Sequence, residues 1–214
     1  GVIGEMRGVR PISPHITTAA VIEATAGVWT PGVKRAAGSF LQGVTWSESL
    51  GIYVAVGVTD PEVDGVIFTS PNGVTWTSQA PVPADVKNIA RVAWSPTLGR
   101  FCAVGYDDTT DPISLVSTNG TSWVRHSIAG LASPALFYNV MWSPQLALFI
   151  ACGTNGTSAV ATSPDGETWT LRTTPAITGG GEWTGIASNE SAVSYLLAIT
   201  GRRANLDGAR AATS

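Results

Sequence analysis

The stretch TSPDGETW at residues 162–169 has two near copies, TSPNGVTW at 69–76 and VSTNGTSW at 116–123. Their tryptophans, Trp76, Trp123 and Trp169, stand 47 and 46 residues apart. A second set of landmarks keeps step with the first: GVTWSESLGIYVAVG (43–57), RVAWSPTLGRFCAVG (91–105) and NVMWSPQLALFIACG (139–153), whose tryptophans Trp46, Trp94 and Trp142 are each 48 apart. Two series on one period describe a single supersecondary unit said several times over.

Within a unit the pattern reads as four short strands. In residues 88–128 these are NIARVAWS, RFCAVGY, ISLVST and TSWVRHS. The second strands, IYVAVGV, RFCAVGY, ALFIACG and YLLAITG, are apolar almost without alternation, so both of their faces must be covered. Four-stranded antiparallel sheets stacked face to face around an axis meet that demand. The expected fold class is therefore all-β, a β-propeller. Small residues recur in the second strands (Ala55 and Gly57, Ala103 and Gly105, Ala151 and Gly153), where a wedge-shaped blade needs little bulk. Fourth strands carry Thr77, Arg125, His126 and Arg172, as suits an outer edge guarded against pairing. Cys102 and Cys152 fall on second strands of neighbouring blades; packed sheets lie about 10 Å apart, too far for a disulfide, so free thiols are expected.

Residues 26–214 hold about four periods. The last unit begins near Trp183, runs through YLLAITG (195–201) and reaches DGARAATS without a fourth strand, with Ala187 where a repeat tryptophan would align. AGVWTPG (26–32) looks like the missing piece, since Trp29 lies 47 before Trp76. The simplest expectation is four blades, closed by the N-terminal strand completing the last one, with residues 1–25 as an arm outside the repeat. AAVIEATAGVW (19–29) also reads as a third strand plus the repeat motif, in which case the chain is part of a larger ring or trades strands with a neighbour.

Composition supports this class and excludes others. The 214 residues are 44% hydrophobic and 13% charged, with 24 glycines and 13 prolines, which suits many short strands and tight turns. A formal net charge of −3 and the lack of a basic stripe argue against nucleic acid. No stretch approaches the roughly 18 apolar residues of a membrane helix, and the N-terminal GVIGEMRGVRPISP lacks the apolar run of a signal peptide, so the chain reads as soluble. His15 and His126 have no metal-binding spacing, and neither a nucleophile elbow nor a P-loop occurs, so no cofactor and no metal is expected.

SPNGVTW, STNGTSW and SPDGETW resemble the Asp-box of BNR and sialidase-like propellers, Ser-x-Asp-x-Gly-x-Thr-Trp. The fuller form WSPxLGxF…AVG…TSPDGxTW is similar to repeats of tail-associated bacteriophage proteins. The resemblance implies a propeller in which the motif sits between third and fourth strands, away from any active site. Each motif is one residue shorter than the usual spacing, and the acid survives only as Asp165, replaced by Asn72 and Asn119. A position that accepts Asn for Asp serves hydrogen bonding: the Asx side chain binds turn N–H groups, glycine allows positive φ, and tryptophan lays an apolar plate on the sheet. Ser70, Asn72, Gly73 and Trp76, then Ser117, Asn119, Gly120 and Trp123, then Ser163, Asp165, Gly166 and Trp169, are thus read as structural braces.

Any binding face is expected at the opposite end, in the second-to-third and fourth-to-first loops. There Asp60, Glu62, Asp64, Asp107, Asp108 and Asp111 form an acidic rim on two neighbouring blades, suited to a cation, a basic partner or sugar hydroxyls, while Arg202 and Arg203 lie on another. Sialidases of this family use three central arginines and a tyrosine nucleophile, and only Arg202 and Arg203 map to that side. The chain is therefore expected not to be an enzyme. The expected role is a structural or adhesive part of a bacteriophage virion, tail-associated, acting as a rigid protein-interaction module in a multimeric assembly. Other virion proteins and a host-surface glycan would be its partners, without nucleic acid or membrane insertion. The alternative is an extracellular, lectin-like carbohydrate-binding propeller using Tyr106, Tyr138 and Trp183 as exposed aromatics; beyond it stands a glycoside hydrolase with paired carboxylates.

Overall fold

A computed structural model describes residues 20–22, 29–31, 39–60, 63–79, 82–130, 135–154, 158–174, 181–189, 197–203 and 209–213. Among these the chain is all strand and turn. A first hairpin pairs β1 (Ala20–Ile22) with β2 (Trp29–Pro31). Three four-stranded antiparallel sheets follow, each in chain order. They are β3 (Ser39–Ser47) to β6 (Thr77–Gln79) through β4 (Ile52–Thr59) and β5 (Gly65–Ser70); β7 (Val86–Ser95), β8 (Arg100–Asp107), β9 (Pro112–Ser117) and β10 (Val124–Ser127); and β11 (Leu136–Ser143), β12 (Leu148–Thr154), β13 (Ser158–Ser163) and β14 (Thr170–Arg172). The last sheet has three strands, β15 (Gly181–Ser188), β16 (Leu197–Arg203) and β17 (Ala209–Thr213).

The apolar second strands explain the stacking. In β8, Phe101 and Ala103 turn toward the first sheet and join Val54, Val56 and Ile67, whereas Cys102 and Val104 turn the other way and join Phe137, Trp142 and Phe149 of the third sheet. Ile150, Cys152 and Val160 in turn pack against Trp183 and Ile199 of the last sheet. Each fully buried side chain of this kind contributes about 1.5–3 kcal/mol, so a central sheet gains on both faces and an outer one on one. Cys102 and Cys152 are free and buried, as expected. Burial pushes both thiols up, that of Cys152 to about 12.

Innermost strands carry an irregularity at matching places, between Leu41 and Gly43, Ile89 and Arg91, Phe137 and Asn139, and Trp183 and Gly185. Opposite it sit Gly57, Gly105 and Gly153. A Cβ at any of the three would stand 1.9 Å from a carbonyl oxygen of the neighbouring strand, that of Phe40, Asn88 or Leu136. Glycine is required here by backbone collision at the bulge, a sharper cause than the taper of a wedge.

The N-terminal strand expected to complete the last sheet pairs instead with β1, inside the segment read as an arm. The motif of the alternative reading of residues 19–29, third strand plus motif, falls on residues 23–28, which lie outside the described residues. Register also places Ser188, and not Ala187, in the row that holds Trp46, Trp94 and Trp142. The last sheet packs on β11, β12 and β13, and among the described residues no packing of similar extent joins it to β3 or β4.

Candidate ligand-binding face

The three repeat turns share one geometry. In the first, Ser70 Oγ accepts from Gly73 N at 2.8 Å and donates to Asn72 Oδ1 at 3.1 Å, while that oxygen accepts from Val74 N and Thr75 N at 2.9 and 2.8 Å. Trp76 Nε1 closes the turn onto Gly73 O at 2.9 Å. Ser117, Asn119, Gly120 and Trp123 repeat the pattern, and so do Ser163, Asp165, Gly166 and Trp169. The glycines take φ of 71°, 75° and 81°, the left-handed region that favours glycine. Each later turn also grips the preceding sheet. Gly120 abuts Ile52 and Val54, Gly166 abuts Cys102 and Val116, Ser114 Oγ donates to Gly166 O at 2.7 Å, and Arg100 reaches Asp165 O at 3.0 Å and Glu167 Oε1 at 2.8 Å. In each turn the serine hydroxyl, the Asx Oδ1 and the indole N–H are thus engaged within the turn itself.

The opposite end is built from the loops after β4, β6 and β8. Asp64 receives Lys87 Nζ at 2.9 Å across the boundary of the first two sheets. Asp107 is buried; its Oδ1 accepts from Thr109 N at 3.0 Å, Thr109 Oγ1 at 2.7 Å and Asp111 N at 3.0 Å, and its Oδ2 receives Arg125 Nη2. Asp85 lies on the other side of that guanidinium, 2.8 Å from Nε. Burial pushes the Asp107 carboxyl up, but the donors from Thr109, Asp111 and Arg125 outweigh it and leave the group below its usual range. Thr110, in this loop, has φ 62°, an uncommon conformation for a β-branched residue.

Beside this network lies a cavity of about 330 Å³ between the outer strands of the first sheet and the segment leading into β7. Its lining includes the polar residues Asp64, Ser78 and Gln79 and the apolar Val66, Ile67, Val82, Pro83 and Val86. Gln79 Nε2 is oriented by Thr69 Oγ1 at 2.7 Å. The volume lies at the small end of ligand pockets, and a few fixed polar groups on an apolar wall are their usual make-up.

The acidic rim expected from sequence is thus reorganised. Asp60, Asp108 and Asp111 are exposed on the expected side, but Asp64 and Asp107 are neutralised by Lys87 and Arg125, partners the sequence reading did not assign. No group of three or more metal-binding side chains converges among the described residues. Arg202 and Arg203 are strand residues of β16, not loop residues, and Glu62 lies outside the described residues. Tyr106 and Tyr138 are half-buried, whereas Trp183 is core, 3% exposed, so it is no surface platform for a sugar.

No protein-family model and no curated protein matches this sequence. Among solved structures the chain is similar to the BP39L lectin from Burkholderia pseudomallei, at 17% identity and TM-score 0.59, over 88% of this chain and 57% of that one. It is also similar to the GH32 β-fructofuranosidase BmSUC1 from Bombyx mori (10% identity, TM-score 0.53, 92% of this chain and 47% of that one). Fructan 1-exohydrolase IIa from Cichorium intybus gives 12% identity and TM-score 0.53, over 92% of this chain and 44% of that one.

The chain has a β-propeller-like fold. At these identities the likeness concerns fold alone, and the chain spans about half the length of each of these propeller-like neighbours. They nevertheless overturn two expectations, that the chain is a non-enzymatic phage virion part and that it is not an enzyme: the structures sharing its propeller-like fold are named as a β-fructofuranosidase, a fructan exohydrolase and a lectin. The sequence lacks the sialidase arginine and tyrosine pattern, a nucleophile elbow and a P-loop, but paired carboxylates stay open in it. One fold hosts several constellations, so failing one pattern excludes that pattern alone.

Proposed function

We propose that this chain is a carbohydrate-binding module of Asp-box-type blades, with a sugar unit seated in the cavity between its first two sheets. The observation that carries the reading is the lining chemistry there: the Asp64 carboxylate and the Gln79 amide together with apolar Val82 and Pro83. Sugar hydroxyls pair with the first set, and the apolar C–H face of a pyranose or furanose ring covers the second. Likeness to a lectin supports the same class of ligand. A glycan array on the full chain, followed by calorimetry, is the test. A neutral saccharide should bind, and Gln79→Ala should weaken binding tenfold or more, about 1.4 kcal/mol, with the melting curve retained; an array without binders, or binding indifferent to Gln79, refutes the assignment.

Hydrolysis is the second reading, favoured by the likeness to a β-fructofuranosidase and a fructan exohydrolase. It needs a carboxyl that holds a proton near neutrality. Asp107, lowered by its donors, stays ionised and cannot supply it. Release of reducing sugar from sucrose or inulin by purified protein, abolished by no change at Asp107, would establish hydrolysis by another pair.

A further inference from the structure

The two ends of the row of sheets are unlike every face between them. On the innermost strands, Val92 and Val140 are 6% and 4% exposed and Trp142 is 7% exposed, because each turns toward the preceding sheet and is covered by it. Val44 and Trp46 hold the same register positions in β3, and there they are 61% and 41% exposed. The face they occupy is built to receive a sheet, yet the last sheet of the chain does not pack on it among the described residues.

At the far end, small side chains are uncovered among the described residues. Ile186 and Ile199 turn toward the third sheet, so their neighbours Ala187 and Ala198, paired in register, turn away from it. Ala187 is exposed, Ala198 half-buried and Thr200 exposed. One end therefore presents Val44 and Trp46 and the other, at Ala187, Ala198 and Thr200, small side chains, the large-on-small arrangement in which facing layers interdigitate.

We propose that the Val44 and Trp46 face docks the β15–β17 sheet of a second copy of this chain, head to tail, continuing the stack of sheets across two molecules. The contact joins unlike surfaces, so it closes a ring where the rotation permits. It involves no residue of the sugar cavity and is read by mass, independently of any glycan.

The experiment is native mass spectrometry and light scattering of the full chain over a concentration series, with Trp46→Lys at one end and Ala187→Arg at the other. Val124→Lys serves as control, since Val124 is equally exposed on the outer strand β10. An assembly of two or more chains is expected. Each end variant should raise its dissociation constant about 30-fold or more, as for a central interface residue, while the control leaves it unchanged and all three keep the parent's circular dichroism. Mixing the two end variants should restore association, because one intact contact forms between them. A monomer at every concentration overturns the proposal. So does an assembly indifferent to both end variants, or one broken by Trp46→Lys alone, which would mean that like faces meet.

Discussion

Ala147 stands where the sister repeats have glycine, and replacing it offers a quantitative test of the repeat geometry. The turns SESLG, SPTLG and SPQLA each begin on a fully buried serine whose Oγ accepts from the backbone N–H of Leu50, Leu98 or Leu146 at 3.3, 3.1 and 3.3 Å. The residue after each leucine takes φ of 63° (Gly51), 62° (Gly99) and 52° (Ala147). A Cβ at Gly51 or Gly99 would meet nothing within 4 Å, so the backbone conformation alone sets the cost. An L-residue in the left-handed region costs about 1–2 kcal/mol, and glycine's extra freedom in the unfolded chain returns about 0.5–1 of it. Ala147→Gly should therefore stabilise the protein by about 0.5–1 kcal/mol, and Gly99→Ala should destabilise it by the same amount. For a chain of this size that is roughly 1–4 °C in Tm, measurable by calorimetry and by urea midpoint. Opposite signs at the two sites are required. If Ala147→Gly lowers Tm, or Gly99→Ala is neutral, the turns are not equivalent and the repeat argument fails at its most local step.

Other predictions follow from the same contacts. Gly105→Ala drives a methyl into Asn88 O and should cost about 3 kcal/mol or more by overpacking, seen as loss of soluble protein or a large fall in urea midpoint. Trp123→Ala removes a half-buried plate packed on the core of the first two sheets and should cost about 2–4 kcal/mol, while sugar affinity per folded molecule is kept. The carboxyls of Asp107 and Asp165 are depressed in the folded state, so they contribute stability above the ordinary carboxylate range, and that contribution is lost as pH falls through their lowered values. Acid unfolding should thus steepen below about pH 4, and Asp165→Asn, which copies the sister turns, should flatten the curve without unfolding the protein.

Much of the architecture was written in repeated residues. Trp94 and Trp142 with their flanking WSP turns, and the unbroken apolar run of β8, are local signals, and they specify strands covered on both faces. Contacts between distant strands were not legible. Arg125 meets Asp107 over 18 positions and Lys87 meets Asp64 over 23, so two acids of the expected rim are paired with bases distant in sequence. The strand order did place residues 82–87 and 107–111 at the same end, and the lone basic residue Lys87 there was the available signal. Trp183 misled because a tryptophan in a degenerate unit looks exposed until register sets it beside Gly201, in the row of Leu41, Ile89 and Phe137.

The most direct test separates brace from binding site in one titration. Nitrogen-15 spectra of the protein, recorded as a binding saccharide is added, report the Gln79 side-chain amide and the indole N–H groups of Trp76, Trp123 and Trp169 together. The Gln79 amide and the backbone signals of Asp64 and Ser78 should shift while the three indoles stay in place on their glycine carbonyls. Indoles that move with a silent cavity would contradict the account and put the ligand on the repeat turns.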